Sequence, residues 1–392
     1  MPRRPLIVLA DDLTGAAEVA ALAHEHGLRA TVLTRLPREP VDADVVVFDT
    51  DTRLAQPAIA ARRVRAATLK LKKLPHAGFF KKTDSVLRGP VLAELTACAQ
   101  ALGRRRTLLV AGNPSFGRTV RDGRFFIDGR PIDQTAFAHD PHHPARSAGV
   151  LDLLQAGKKR NVVAAAPEAK LPRSGVIAGE HRSAADTAKW ARAVDRSTLP
   201  AGGADFFRAW LRIQEGSVGG VLYPDKESRI SQSRGIKPLP PSNRLIFEPA
   251  LLLHGTTAAP ATGRVLRFNG LRAPSAVRVA AALRQRRAVA VAATALTLGD
   301  PLAPPIIARN FAGLARAVRD TGAFRHLVIA GGATAASVLR ALGWTRLEVV
   351  RVWGPGVVSL RPAAAPGFLV TLKPGSYPWP GSIRRALPAV FP

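Results

Sequence analysis

Three short clusters near the N-terminus carry most of the side chains able to do chemistry. Asp11-Asp12-Leu13-Thr14-Gly15 sets two carboxylates and a hydroxyl in one turn. Such a doublet can accept hydrogen bonds from sugar hydroxyls or take a proton from one of them. It also suits a helix N-cap followed by a favourable dipole end, and spacing alone leaves both readings open. Phe80 to Gly89 is denser: Lys82 and Arg88 can clamp a carboxylate, arginine in bidentate geometry, while Asp84 and Ser85 can bind hydroxyls. A pair of structural salt bridges at a sheet edge would use the same residues. Asp51-Thr52-Arg53 and the later Arg118 add further polar groups. His139-Asp140-Pro141-His142-His143-Pro144 lacks helical i, i+4 spacing and is stiffened by two prolines, so no metal site is expected there.

Each N-terminal cluster follows an apolar run. Pro5 to Ala10 is a continuous apolar segment of the kind that forms a parallel strand buried on both faces, and an Ala-rich stretch to His26 has helical composition. The alternation repeats, with strands expected at 29–34, 43–48, 78–82 and 107–111 and helices at 55–71 and 91–102. In open α/β sheets ligands bind outside the carboxyl ends of the strands, where all these clusters fall. Residues 116–144 break the pattern, and their Asp-Gly turns predict an inserted β-hairpin. A strand is expected at 176–178, and helices at 184–194 and 203–213. Gly, Pro and Ser crowd residues 215–244, which reads as a linker. The expected organisation is therefore an N-terminal domain over 1–214 and a C-terminal domain over 245–392. Together they are two Rossmann-like α/β domains facing a shared cleft.

The second half offers glycine turns at strand ends: Gly255-Thr256-Thr257, Gly331-Gly332-Ala333-Thr334 and Lys373-Pro374-Gly375. The middle one opens a helix directly after an apolar strand, where backbone N–H groups and a dipole end suit a phosphate. Each turn alone is common in α/β proteins. Neither GxxxxGK[ST] nor GxGxxG occurs, which disfavours those two nucleotide modes.

The chain has 392 residues and a formal net charge of +29. Of its 57 basic residues 45 are Arg, in a chain rich in Ala, Gly and Pro, the pattern of a GC-rich coding sequence. The basic clusters are short and scattered, and five Trp and two Tyr give few stacking platforms. A solvated basic surface is expected rather than a nucleic-acid footprint. One cysteine, Cys98, excludes an intramolecular disulfide, and no apolar run reaches the roughly 18 residues of a membrane span. A cytoplasmic protein without membrane partners is expected, and a homodimer is compatible with the sequence.

Taken together and in this order, ADDLTGAAE at 10–18, KKTDSVLRGPVLAEL at 81–95, the segment 113–144 and AGGATAASVLRALG at 330–343 resemble the four-carbon acid sugar kinase family; LKPGSYPWPG at 372–381 does so more loosely. The resemblance implies an acid-sugar-binding N-terminal domain and an ATP-binding C-terminal domain. It also implies Mg²⁺-dependent phosphorylation of the terminal hydroxyl of a threonate, erythronate or 3-oxo-tetronate. By the same resemblance Asp11, Asp12, Arg53, Lys82, Asp84, Ser85, Arg88 and Arg118 face the sugar acid. Gly331, Gly332, Ala333, Thr334 and Gly375, with the Gly255, Thr256 and Thr257 turn, face ATP. Asp12, ahead of Asp84, is the expected acceptor of the hydroxyl proton.

The departures lie mainly in the second half. Ala333 stands where family members usually carry an acidic residue, and Ala258 where they carry a second hydroxyl. They motivate an alternative, a sugar-acid-binding protein of the same fold with impaired or lost ATP use.

Overall fold

The computed structural model describes residues 4–214, 249–255, 265–268, 273–293 and 303–388, apart from Pro141, Arg160 and Ser376. The expected linker at 215–244 lies outside these residues, as do Thr256 and Thr257. The chain is an α/β protein of two compact units, Met1–Ala23 with Arg35–Gly220 and His24–Thr34 with Val221–Pro392.

The chain opens with β1 (Leu6–Ala10), α1 (Leu13–Glu25), β2 (Ala30–Leu33), β3 (Val45–Asp49), α2 (Pro57–Leu71), β4 (Gly78–Lys82), α3 (Val91–Leu102) and β5 (Arg106–Val110). An insert of three short strands follows: β6 (Arg118–Arg121), β7 (Arg124–Ile127) and β8 (Arg130–Pro131). Then come α4 (Val150–Leu153), β9 (Val162–Ala165), β10 (Gly175–Gly179), α5 (Ala184–Arg192), β11 (Thr198–Gly202) and α6 (Ala204–Gln214). In the first unit the strands run β3-β1-β4-β11-β5-β10-β9, all parallel. Apolar side chains on both faces of β1 and β3 are buried, as a sheet covered on two sides requires.

The register fixes the site. Ala10 pairs with Asp49 on one side and with Lys82 on the other, and Lys82 pairs with Gly202. The strand ends are level, so the segments starting at Asp11, Thr50 and Thr83 leave the sheet at one edge. Behind this edge α6 packs Phe206, Phe207 and Trp210 on Phe80 of β4, with ring centroids 5.1–5.9 Å apart. The expected hairpin is β6–β7, joined by Asp122-Gly123 with φ of +50° and +68°, the both-positive pattern of a type I′ turn.

The second unit contains β12 (Ala250–His254), β13 (Val265–Phe268), β14 (Ala288–Ala293), β15 (His326–Ala330), β16 (Arg346–Gly354), β17 (Val357–Pro362) and β18 (Leu369–Lys373). Strands β13-β14-β12-β15-β18 are parallel, and β17 and β16 continue the sheet antiparallel. The strand expected at 29–34 forms, but β2 pairs antiparallel with β16, Leu33 opposite Arg346 and Thr31 opposite Glu348. It thus completes the second unit's sheet, and Thr34 donates its N–H to the Thr345 carbonyl. The β16–β17 pair and the helices Ala276–Gln285 and Ala303–Asp320 were not expected from the sequence. Among the described residues no helix is long and apolar enough to cross a membrane.

Candidate functional site

The N-cap reading of the aspartate doublet is borne out at Asp12. Asp12 caps α1: Thr14 Oγ1 donates to its Oδ2 at 2.5 Å and the Gly15 N–H to its Oδ1 at 2.8 Å. The same Oδ1 lies 2.8 Å from Arg53 Nη2. Asp11 is buried and accepts two bonds from Arg53, from Nε at 2.7 Å and Nη2 at 3.0 Å. Arg53 Nη1 lies 3.6 Å from Asp84 Oδ1. One guanidinium, held in place by the Arg53 N–H on the Asp11 carbonyl, therefore ties together three carboxylates from two strand ends.

Asp84 is more heavily engaged still. Arg88 grips it in a fork, Nε to Oδ2 and Nη2 to Oδ1, both 2.9 Å, and the Arg88 N–H adds a third bond at 3.1 Å. The turn that allows this holds Leu87 at φ +62°, a strained value for a buried side chain. Arg88 Nη1 reaches Asp140 at 3.2 Å, Arg118 donates to Ser85 Oγ, and Lys82 Nζ lies 3.2 Å from Glu18. The eight residues expected to face a sugar acid thus gather at one edge. The expected carboxylate clamp, however, has Arg88 committed to Asp84 and Asp140, because burial would leave those carboxylates costly without a cation.

These contacts set the charges. Burial works to raise the Asp11 carboxyl, but Arg53 and then Lys81 outweigh it and hold it below its usual value. Burial opposes ionisation of Asp84 too, and Arg88 and Arg53 together push it well below the carboxylate range. Asp49, at the end of β3, shows the reverse: burial, then the charges of Asp12, Asp51 and Asp11, push it well above that range.

The residue list read from the sequence misses Asp49 and the pair beneath the site, Lys81 and Glu94, 2.7 Å apart and fully buried. Glu94 and Asp11 hold Lys81 charged against its burial. The adjacent Lys81-Lys82 was the available signal, since two successive residues of a strand covered on both faces point to opposite sides and are both buried. Among the described residues no three or more His, Cys, Asp or Glu side chains group as metal ligands.

In the second unit His254, Ala330 and Lys373 sit side by side in register, so the turns at Gly255, Gly331 and Pro374 adjoin. The Gly331 N–H donates to the Lys373 carbonyl and the Gly255 N–H to the Ala330 carbonyl. Gly255 packs so closely on Thr334 that a β-carbon there would overlap the Thr334 hydroxyl. The helix Gly332–Leu342 starts in this corner, where its first N–H groups have no intrahelical acceptor. Lys373 Nζ, on the next strand, donates to the carbonyls of Pro374, Gly375 and Tyr377 at 2.6, 3.2 and 2.5 Å. Burial lowers its pKa to about 8. Ala333 is exposed in the first turn of the helix.

Two family models match the chain: a sugar-binding N-terminal domain over residues 6–197 and a nucleotide-binding C-terminal domain over residues 249–377. The chain belongs to the four-carbon acid sugar kinase family. Its relatives in that family include a D-threonate kinase of Salmonella typhimurium, 33% identical over 151 residues. That match spans 38% of this chain and 36% of the relative. A 3-oxo-tetronate kinase of Cupriavidus necator is 26% identical over 434 residues, 99% of this chain and 98% of the relative. The crystal structure of a Haemophilus influenzae protein superposes with a TM-score of 0.69 at 18% identity, covering 98% of this chain and all of that one. At that identity the likeness shows the fold. The three N-terminal clusters lie inside the sugar-binding match, and the three glycine turns inside the nucleotide-binding match.

Proposed function

We propose that this chain is an ATP-dependent kinase that phosphorylates the terminal hydroxyl of a four-carbon sugar acid of the threonate, erythronate or 3-oxo-tetronate class, acting in the cytoplasm. The observation that carries the proposal is the meeting of Asp11, Asp12, Arg53, Asp84 and Arg88 at one sheet edge of the sugar-binding unit. Carboxylates and cations alternate there as a polyhydroxy acid requires.

Asp12 is the carboxylate suited to accept the hydroxyl proton. Its side chain is 17% exposed, against 4% for Asp11 and 6% for Asp84. Asp84 is saturated by Arg88 and its depressed pKa makes it a weak base. Its role is to hold the two guanidiniums apart and in place. Ser85 and Arg118 form a second polar wall, and Lys82, braced by Glu18, adds positive charge beside α1. Phosphoryl transfer needs positioning and charge neutralisation more than covalent chemistry from the protein.

The turns at Gly255, Gly331–Thr334 and Gly375 fit a triphosphate: close backbone approach, free helix N–H groups and the buried cation of Lys373. ATP supplies the transferred phosphoryl group. No cage for Mg²⁺ is assigned among the described residues, because the carboxylates of the sugar-acid site are already paired with Arg53 and Arg88. The ion is proposed to arrive on the nucleotide, as one that usually keeps phosphate and water ligands. A second reading, sugar-acid binding with lost ATP use, is favoured by Ala333 in the helix turn and by Ala258, which lies outside the described residues. A thermal-shift screen of sugar acids with and without Mg-ATP separates the two. A kinase is stabilised by both ligands, whereas a binding protein responds to the acid alone.

A further inference from the structure

We infer that Phe137, Asp140 and His143 are positioning residues that hold the three arginines of the sugar-acid site in one arrangement. All three come from the segment following the β6–β8 insert, and each grips a different part of the site. The Asp140 Oδ2 accepts from Arg88 Nη1 at 3.2 Å. Its Oδ1 is fixed in turn by the backbone N–H groups of His142 and His143, at 3.0 and 2.9 Å. His143 Nε2 lies 3.0 Å from the carbonyl of Arg53. A carbonyl only accepts, so Nε2 carries the hydrogen in this contact. The Phe137 ring centroid is 5.7 Å from the Arg88 guanidinium and 5.9 Å from that of Arg118, within cation–π range of both.

The chemistry of the segment explains its composition. A histidine that must donate to a backbone carbonyl, and a carboxylate that must both cap its own turn and orient a guanidinium, are placed by the backbone around them. Pro144, directly after His143, restricts the backbone there. A cavity of about 350 Å³ borders the segment, lined by Arg88, Phe137, His142 and His143 among others. Phe137 packs on a buried apolar cluster that includes Ile132 and Ala145, while the polar contacts of Asp140 and His143 join the segment to Arg88 and to the Arg53 backbone. Loss of the segment's contacts would release Arg88 and the Arg53 backbone together.

The test rests on the proposed kinase reading for its kinetic arm only. Asp140→Asn keeps the shape and loses the charge; His143→Ala removes the donor, and His143→Gln restores one. With turnover measured against a tetronate and Mg-ATP, D140N and H143A should raise the KM for the sugar acid by on the order of tenfold or more. The KM for ATP should stay within twofold, and H143Q should recover most of the loss seen in H143A. A purely structural role would lower the melting temperature and leave the sugar-acid KM in place, and that result overturns the inference. So would an H143Q no better than H143A. If the wild-type chain turns over no tetronate, the kinase reading has failed, and proton exchange of the arginine Nε–H groups by NMR then decides. D140N should speed exchange at Arg88 and H143A at Arg53, whereas unchanged rates at both refute the positioning role.

Discussion

Replacing Arg53 by methionine removes the one cation shared by three carboxylates, and the structure sets the size of the effect. Asp11 loses a two-pronged contact at 2.7 and 3.0 Å, Asp12 a contact at 2.8 Å and Asp84 one at 3.6 Å. Asp84 keeps Arg88, so its loss is the smallest. Asp11 is left with Lys81 as its remaining nearby cation. Breaking a buried pair from one side costs about 3–5 kcal/mol. For a unit of this size that lowers the melting temperature by roughly 6–20 °C.

The sign of the pH dependence follows from the same contacts. The carboxyls of Asp11 and Asp84 are held below their usual value in the folded state, so their stabilisation is present above the unfolded value of about 4. It is lost as pH falls through the folded value. Without Arg53 the folded values rise, the variant gains protons earlier, and its deficit narrows as pH falls from 7 towards 4. Arg53→Lys keeps the charge but not the fork and should fall between the two. Urea unfolding of wild type and R53M at pH 7 and pH 4 measures both effects. A deficit below about 1 kcal/mol at pH 7, or one that widens towards pH 4, refutes the reasoning.

Lys373 gives a second pH signature. Below about pH 8 its ammonium has three donors for three carbonyls, and above it the amine has two, so the turn loosens and Mg-ATP affinity should fall between pH 7 and 9. The unfolded lysine titrates near about 10.4, so between these values the unfolded chain binds more protons and this group's contribution to stability rises with pH. Calorimetric titration of Mg-ATP across that range should lose its pH dependence in Lys373→Met; a flat wild-type profile contradicts the assignment. Gly255→Ala puts a methyl group against the Thr334 hydroxyl, an overpacking cost of about 1–3 kcal/mol. It should abolish the thermal shift caused by Mg-ATP and spare the one caused by a sugar acid, and loss of both would mean that the turn is a folding element only.

Local sequence carried the parallel alternation of the first unit, since each strand there is an apolar run ending in a polar turn. It also carried the position of the charged cluster at the carboxyl strand ends, where ligands bind in such sheets. What it did not carry was pairing at long range. The run at 29–34 reads as a strand in any context, and nothing in its period names a partner at 346–348. Nor does composition say whether Arg88 meets a ligand or a neighbouring Asp84, since both offer carboxylate oxygens. Asp140 and His143 were visible as a cluster, but their partners, Arg88 and the Arg53 backbone, come from distant segments that only the fold brings to them.

The most direct test is to follow Mg-ATP and a panel of threonates, erythronates and 3-oxo-tetronates by phosphorus NMR, together with ADP release. The proposed function predicts a new phosphomonoester signal and one ADP for each sugar acid consumed, with neither formed when the acid is omitted. Asp12→Asn should slow this by about 10²–10⁴-fold while the acid still raises the melting temperature. No phosphomonoester from any member of the panel at high enzyme concentration, with sugar acid bound, would contradict the kinase assignment.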